Sequence, residues 1–443
     1  MSGKEYRICA SDTPSLLASE VTELLSQGWE LYGPPFANSD SPICQAMVKA
    51  STNGHAVTRT APAPAPKKAP SQRVQPPRPT RPAVAATRRN VATFLAVALG
   101  GALLGDALVF RSGFYTQYLE PLSSTGTYER MFYAEANRRP SGKKEVLVMG
   151  NSRVAEGFSA KIANDSKQDG YWFLNCSVPA TGARAFYYFL RDVDPHRDRY
   201  AAIAIPLDDY DDPDSIEDPA DEVSEMWLVI GRLRIADILP YTWSFHSWNS
   251  RFDVFFGTTL KGLAYQRDFQ DFIEHAAARL KSARDYRQYG SDWLYAYGGN
   301  ERSLAGISVD RANHQATFPP GMPQDLQDDL RRQIFLEPPQ HGWTRAFEIR
   351  WLGALADLYR GSKTRIILYQ LPRNAAPRPT PLAHGTSTSV NELGKRSEVT
   401  VVDRTVFEAL EKPELFFDYI HLNSAGRQLF SPLLAETVKA RLR

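Results

Sequence analysis

Three residues in this chain, Ser152, His421 and Asp418, are of the types that together cleave an acyl bond. A serine hydroxyl is a weak nucleophile by itself. It needs a base within hydrogen-bond reach, and the base needs an acid that orients it. Ser152 lies in Gly150-Asn151-Ser152-Arg153-Val154, directly after the apolar run Val146-Leu147-Val148-Met149. A glycine and a serine just behind a buried strand make a tight turn that projects the hydroxyl at the sheet's edge. The amide of the next helical turn then points at the same space. Near the C-terminus, Asp418-Tyr419-Ile420-His421-Leu422-Asn423 sets an acid three residues before a histidine. Asp418 can then bond the ring's Nδ1 within one turn, leaving Nε2 to take the serine proton. Each half alone recurs by chance; the two in this order are far more specific.

Such residues must be held by a rigid frame. Apolar runs at 145–149, 171–174, 201–205, 365–371 and 399–402 read as strands, with helical stretches such as 181–191 and 345–359 between them. This alternation predicts a parallel sheet with helices on both faces, and in such sheets chemistry gathers at the carboxyl ends of strands. Ser152 follows the first of these strands and His421 precedes the last helix. From 213 to 340 lies a long insertion, mostly helical by pattern, carrying Trp227, Trp243, Trp248 and Trp293. Core packing is the expected use of these aromatics. Its place in the chain sets the insertion over the strand ends, as a lid or substrate groove.

The chain is organised in four segments. Residues 1–52 read as a small α+β domain with strands near 5–9, 29–32 and 43–48 and a helix over 16–25 that Gly28 stops. Residues 53–89 hold eight prolines, eight Lys or Arg and no acid. Such a segment buries too little apolar surface to offset its ordering entropy, so a disordered linker is expected. Solubility and reach, or attraction to anionic lipid headgroups, would each suit its basic character. Residues 90–110 read as a transmembrane helix: 91–110 carry one charge, Asp106, and twenty residues span roughly 30 Å, the thickness of a bilayer core. Arg88 and Arg89 precede it, which predicts a cytoplasmic N-terminus and an exported domain at 111–443. A buried soluble helix is the competing reading of this segment, and would make the protein a soluble cytoplasmic hydrolase.

The net charge of +2 gives no reason to expect a nucleic-acid partner. Cys9, Cys44 and Cys176 form no C-x-x-C pair and support no disulfide framework. His196, His246, His275, His314, His341 and His384 show no metal-ligand spacing. No metal and no cofactor is expected.

The two chemical blocks resemble those of the SGNH superfamily, the GDSL esterases and lipases. Gly150-Asn151-Ser152-Arg153 is similar to the first block, with Asn151 where Asp is usual, and Asp418-x-x-His421 followed by Leu422-Asn423-Ser424-Ala425-Gly426 is similar to the last. The resemblance implies an SGNH-like, flavodoxin-like α/β fold. It also assigns Gly182, in Asn175-Cys176-Ser177-Val178-Pro179-Ala180-Thr181-Gly182, to the block whose glycine amide joins the Ser152 amide in an oxyanion hole. The chain departs at the third block. Where the family has Gly-x-Asn-Asp, this sequence runs Pro206-Leu207-Asp208-Asp209-Tyr210, with no Asn. Membrane-linked members resembling the alginate O-acetyltransferase group often carry an Asp in this region. Asp208 or Asp209 would then orient Arg153 or touch substrate, the competing reading being a solvated acidic loop. Residues 1–52 resemble a small bacterial domain family of unknown function through Tyr6-Arg7-Ile8, Gly28-Trp29 and Gln45-Ala46-Met47-Val48-Lys49.

The expectation is a single-pass protein of a bacterial inner membrane whose exported domain is an esterase or O-acyltransferase. Its expected partners are an acylated carbohydrate or small ester, the membrane, and a cytoplasmic protein met by residues 1–52. The alternative is a catalytically weak scaffold joining a cytoplasmic module to an envelope complex.

Overall fold

The computed structural model describes residues 4–11, 24, 29–31, 43–50, 88–165, 170–207, 216–217, 225–245, 247–289, 294, 297–335, 343–344, 346–376 and 388–443. The chain forms two compact units, Met1–Ala85 and Ala86–Arg443. In the first, strands β1 (Lys4–Ser11), β2 (Glu30–Leu31) and β3 (Ile43–Ala50) make an antiparallel sheet in the order β1-β3-β2. The three lie where the sequence expects them. Of the expected helix at 16–25 only Leu24 is described; it is helical and buried, and its carbonyl accepts from the Trp29 amide at 3.0 Å. Residues 53–87 of the expected linker lie outside the described residues.

The second unit begins with helix α1 (Arg88–Asp106), which continues through a π-helical turn at Ala107–Arg111. Thr93–Arg111 is long and apolar enough to cross a membrane. Its large side chains, among them Phe94, Leu95, Val97, Leu104 and Leu108, are exposed, so the helix is not packed as a core element of this fold. Among the described residues, its C-terminal end is docked on the domain. Asp106 Oδ1 accepts from the Gly262 amide at 2.7 Å, and Arg111 Nη2 donates to the carbonyls of Thr258 and Thr259 at 2.7 Å each. The one acid in the apolar stretch is thereby paired where the helix meets the folded domain.

After helix α2 (Ser124–Asn137) come β4 (Lys144–Val148), helices α3 (Ser152–Gly157) and α4 (Ala160–Asp165), β5 (Tyr171–Asn175), α5 (Ala183–Val193) and β6 (Ala202–Leu207). The insertion holds α6 (Trp248–Thr259) among other helices; α7 (Ala346–Leu358), β7 (Arg365–Gln370), β8 (Val399–Val401) and α8 (Ser424–Ala440) complete the domain. The five strands from β4 to β8 pair in parallel in the order β8-β7-β6-β4-β5. Numbered from β4, this is the doubly wound order 2-1-3-4-5, in which the chain reverses direction across the sheet between its first and third strands. Ser152 follows β4, at that switch point.

Side-chain alternation fixes the layers. Val146, Val148, Ala202, Ala204 and Ile367 face one cluster, completed by Phe430 and Leu434 of α8. Leu147, Met149, Ile203, Ile205, Ile366 and Leu368 face the other, against Tyr128 of α2, Phe189 of α5 and Leu355 of α7. Both faces are dry, which is why these strands read as continuous apolar runs. Each fully buried Leu or Ile contributes about 1.5–3 kcal/mol to holding the sheet closed.

The insertion, expected over the strand ends as a lid or substrate groove, packs on both faces of the sheet. Met226, Leu228, Val254 and Tyr265 pack on the α5 face of the sheet, whereas Leu304, Leu326 and Leu330 pack on the α8 face. It clasps both faces. Among its tryptophans, Trp227 packs against the core, while Trp243 and Trp248 are exposed, contrary to the expected burial. Trp293 lies outside the described residues.

Candidate active site

The turn that carries Ser152 is held by its neighbours on the sheet. Beyond the end of β4 the Met149 amide donates to Ala204 O at 3.0 Å, and Gly150 O accepts from the Val178 amide at 2.9 Å and from Thr181 Oγ1 at 3.0 Å. Glycine is needed at 150 for close approach. A Cβ there would sit 2.3 Å from Val154 Cγ2 and 3.3 Å from Pro206 Cγ. Asn151 is the N-cap of α3, its side chain accepting from the Arg153 amide at 2.9 Å. Asp and Asn serve about equally well as N-caps, so Asn151 holds this turn as an Asp would.

The other half is a short closed loop. Phe416 and Leu422 form an isolated antiparallel bridge, and the Phe417 amide donates to His421 O at 3.1 Å. Asn423 caps α8 by accepting from the Gly426 amide at 2.9 Å, while its Nδ2 donates to Arg302 O at 3.0 Å and Glu414 O at 2.8 Å. A Cβ on Gly426 would lie 2.4 Å from Leu415 O, so the glycine lets α8 begin hard against the loop. Leu422 is buried and reaches Gly157 at the end of α3, joining the histidine loop to the serine helix.

Between these halves, His421 Nε2 lies 2.8 Å from Ser152 Oγ and His421 Nδ1 lies 2.7 Å from Asp418 Oδ2. Residues 269 positions apart in sequence thus share a hydrogen bond. Asp418 Oδ1 accepts from the amides of Ile420 at 2.9 Å and His421 at 2.7 Å, so both carboxylate oxygens are engaged. Burial works to raise the Asp418 carboxyl; its hydrogen bonds to His421, that ring's charge and the Ile420 amide outweigh burial and hold it below the ordinary carboxylate value. The side chains of His421 and Asp418 are 17% and 19% exposed, shielded from bulk water but reachable.

Two positioning residues escape sequence reasoning. The Phe417 ring stacks on the His421 imidazole, centroids 5.4 Å apart and planes within 9°. Buried Asn374, just past the end of β7, donates from Nδ2 to Asp418 O at 3.0 Å and accepts from the Ala376 amide at 2.9 Å. No spacing rule links Asn374 to Asp418. Phe417 could have been singled out only as an aromatic close in sequence to His421. One turn beyond Ser152, Glu156 accepts a short hydrogen bond from the Tyr297 hydroxyl, and the Arg427 guanidinium lies 5.0 Å over the Tyr297 ring. Burial and the Glu156 carboxylate both push the Tyr297 phenol up, so it stays a donor.

The remaining candidates fare differently. Arg153 is buried and donates from Nη2 to Pro372 O at 3.3 Å, at the exit of β7. Asp208 and Asp209 lie outside the described residues. Gly182 is the N-cap of α5, as the sequence leads one to expect, but its amide is not free. It donates to Glu225 Oε1 at 3.1 Å, and the same oxygen accepts from the Ala185 amide at 2.7 Å. Glu225 Oε2 receives Arg184 Nε at 2.9 Å, and both side chains are buried. The insertion supplies a carboxylate where the helix N-terminus would otherwise present its amides. Removing that anion leaves Arg184 and two amides without their main acceptor. Glu225→Ala is therefore expected to cost about 3–5 kcal/mol, read as a lower thermal midpoint in detergent, with Glu225→Gln milder. An unchanged midpoint in both would show that this pair does not hold the insertion to α5.

Among the described residues no group of His, Cys, Asp and Glu is arranged to hold a metal ion. Cys176 is a free, buried thiol whose pKa burial pushes well up, so it is chemically quiet.

Residues 3–50 match a family described as a domain of unknown function (DUF1737). No curated protein matches the chain. The first compact unit carries a DUF1737 domain.

Proposed function

We propose that Ala86–Arg443 is a membrane-anchored SGNH-type serine esterase or O-acyltransferase. The observation that carries this reading is the unbroken hydrogen-bonded series Ser152 Oγ, His421 Nε2, His421 Nδ1, Asp418 Oδ2 at the carboxyl edge of a doubly wound parallel sheet. Ser152 attacks an acyl carbonyl as His421 takes its proton. The tetrahedral intermediate collapses as the imidazolium returns that proton to the leaving alkoxide, freeing an alcohol and leaving an acyl-serine. Water or a sugar hydroxyl, deprotonated by His421, then attacks the acyl-serine and regenerates Ser152. The Ser152 amide, at the start of α3, is the proposed oxyanion donor. The substrate class is an acyl ester, with acetyl on an envelope or exported polysaccharide the best fit to the family resemblance. The exposed apolar helix and the basic residues before it support a single pass through a bacterial inner membrane, with the DUF1737 domain cytoplasmic and available to a cytoplasmic partner.

A second reading, an SGNH-like scaffold with little activity, draws support from Glu225, which occupies the Gly182 amide that the family resemblance assigns to the oxyanion hole. One experiment separates the two. A fluorophosphonate probe reacts with a serine only when a neighbouring base activates it. The full chain in detergent is expected to label at Ser152, identified by peptide mass, and Ser152→Ala to remain unlabelled. Absence of label on the folded wild-type chain would favour the scaffold.

A further inference from the structure

Helix α6 is amphipathic in the opposite sense to a helix that lies on a core. Ser250, Val254, Gly257 and Thr258 are buried, and Gly257 allows close approach to Trp227, since a Cβ there would lie 2.6 Å from Trp227 Cζ3. The outward stripe at i, i+4, i+7 and i+8 is wholly aromatic: Trp248, Phe252, Phe255 and Phe256, exposed by 62%, 58%, 37% and 53%. Leu239 (58%) and Leu263 (50%) on the adjoining short helices, and Trp243 (52%) just past the first of them, are exposed as well. Trp243 and Trp248 pack edge to face at 5.9 Å, with the Arg251 guanidinium 4.8 Å and 5.1 Å from their rings. Lone surface hydrophobics are ordinary; a contiguous aromatic face is not.

Its location says what covers it. The C-terminal end of α6 is bonded to α1, because Arg111 donates to the carbonyls of Thr258 and Thr259. Phe256 is two residues from that junction. On the next helices, the Gly262 amide donates to Asp106 Oδ1, and Phe110 packs against Tyr265 and Phe269 at 6.1 Å and 5.3 Å. A shallow groove of about 470 Å³ beside Phe110, at the C-terminal end of the apolar helix, is lined by Gly262, Phe269 and Ile273 with Gln266, Gln270 and Glu274. Tryptophan, phenylalanine and a flanking arginine on one face of a helix, beside the end of a bilayer-length apolar helix, have the composition of a membrane-interface element.

We propose that the aromatic face of α6, with Trp243 and Leu263, is embedded in the lipid of the membrane that α1 crosses, on the side of the large domain. This rests on the reading of α1 as a membrane span. The domain is then held at two points, α1 and α6, and its orientation to the bilayer is fixed rather than free to swing about a single tether.

The test uses the full chain in vesicles of phosphatidylcholine and phosphatidylglycerol whose acyl chains are brominated, since bromine quenches only indoles within the lipid. Helix α1 contains no tryptophan, so it adds no signal. The double variant Trp243→Phe/Trp248→Phe keeps the apolar face and is expected to lose about half or more of the lipid-quenched emission, as interfacial indoles dominate such quenching. Near-UV circular dichroism checks that its fold is retained. Equal lipid quenching in wild type and variant, with Trp243 and Trp248 open to aqueous iodide, would overturn the proposal and point to a protein partner for this face. Alkaline carbonate extraction reports on α1 separately. A chain that resists extraction but shows no quenching of these indoles keeps its span and loses the embedded face. A chain that is extracted yet was quenched beforehand keeps the face and loses the span.

Discussion

Replacing His421 with alanine is expected to lower kcat for cleavage of an activated acyl ester by on the order of 10⁴- to 10⁶-fold, the loss that the proposed triad predicts when its base is removed. The geometry accounts for the size. Ser152 Oγ has its hydrogen bond to His421 Nε2 at 2.8 Å, and without it the hydroxyl must lose its proton to water, far from its ordinary tendency. KM is expected to move little, since the ring's work lies in proton transfer. The substitution leaves a gap beside the flat face of Phe417, which stacks on the ring at 5.4 Å. Added imidazole should enter that gap and restore part of kcat, a response that a purely structural histidine would not give. Ser152→Ala should lower kcat as far and show no imidazole rescue, because the nucleophile itself is gone. Steady-state kinetics on the full chain in detergent, with and without imidazole, reads all three effects. Activity in His421→Ala within tenfold of wild type would remove His421 from the chemistry.

The parts of this arrangement that were legible in sequence are those with a local cause. The strands at 144–148, 202–207 and 365–370 follow from short apolar runs buried on both faces, and those at 171–175 and 399–401 from half-buried runs at the sheet's edges. Ser152 and the Asp418–His421 pair were legible because each sits in a motif whose spacing carries its chemistry. The strand order does not follow from βαβ alternation, which predicts parallel pairing without saying on which side of β4 the chain returns; it was implied only by the resemblance to a flavodoxin-like fold. Gly182 shows a second limit. Its place at the N-terminus of α5 could be read, yet its partner Glu225 comes from 43 residues away in sequence. Asn374 is a third, its bond to Asp418 O depending on where β7 exits the sheet. The tryptophans mark a fourth. Composition cannot tell an aromatic that fills a core from one that faces outward, and only the packing of α6 on Trp227 assigns Trp248 to the outer face.

Asp418→Asn is expected to lower kcat by about 10⁴-fold while leaving the loop around His421 closed. The carboxylate does two things that an amide cannot do together. Its Oδ2 receives His421 Nδ1 at 2.7 Å, which favours the tautomer with Nε2 unprotonated and facing Ser152, and in the proposed reaction its charge would stabilise the imidazolium formed during attack. Asn offers a hydrogen-bonding NH₂ or a neutral carbonyl, so it either favours the wrong tautomer or leaves the cation unsupported. The Ile420 and His421 amides can still be received by the Asn carbonyl, as they are by Oδ1 now. The same substitution gives a stability signature with a definite sign. The Asp418 carboxyl is lowered in the fold, so the unfolded chain binds the proton more readily. Its contribution is present above the ordinary carboxylate value of about 3.9 and lost as pH falls through the lower, folded value. Asp418→Asn should therefore reduce stability at neutral pH and flatten its fall below about pH 4, where the wild-type carboxylate would be losing its advantage. Thermal midpoints of both chains from pH 7 to 3 measure this directly. If the two curves run parallel through that range while kcat falls, the Asp418 charge acts in the reaction without contributing to folding. If kcat is unchanged, the serine and histidine operate without an orienting acid, and the triad reading fails at its third member.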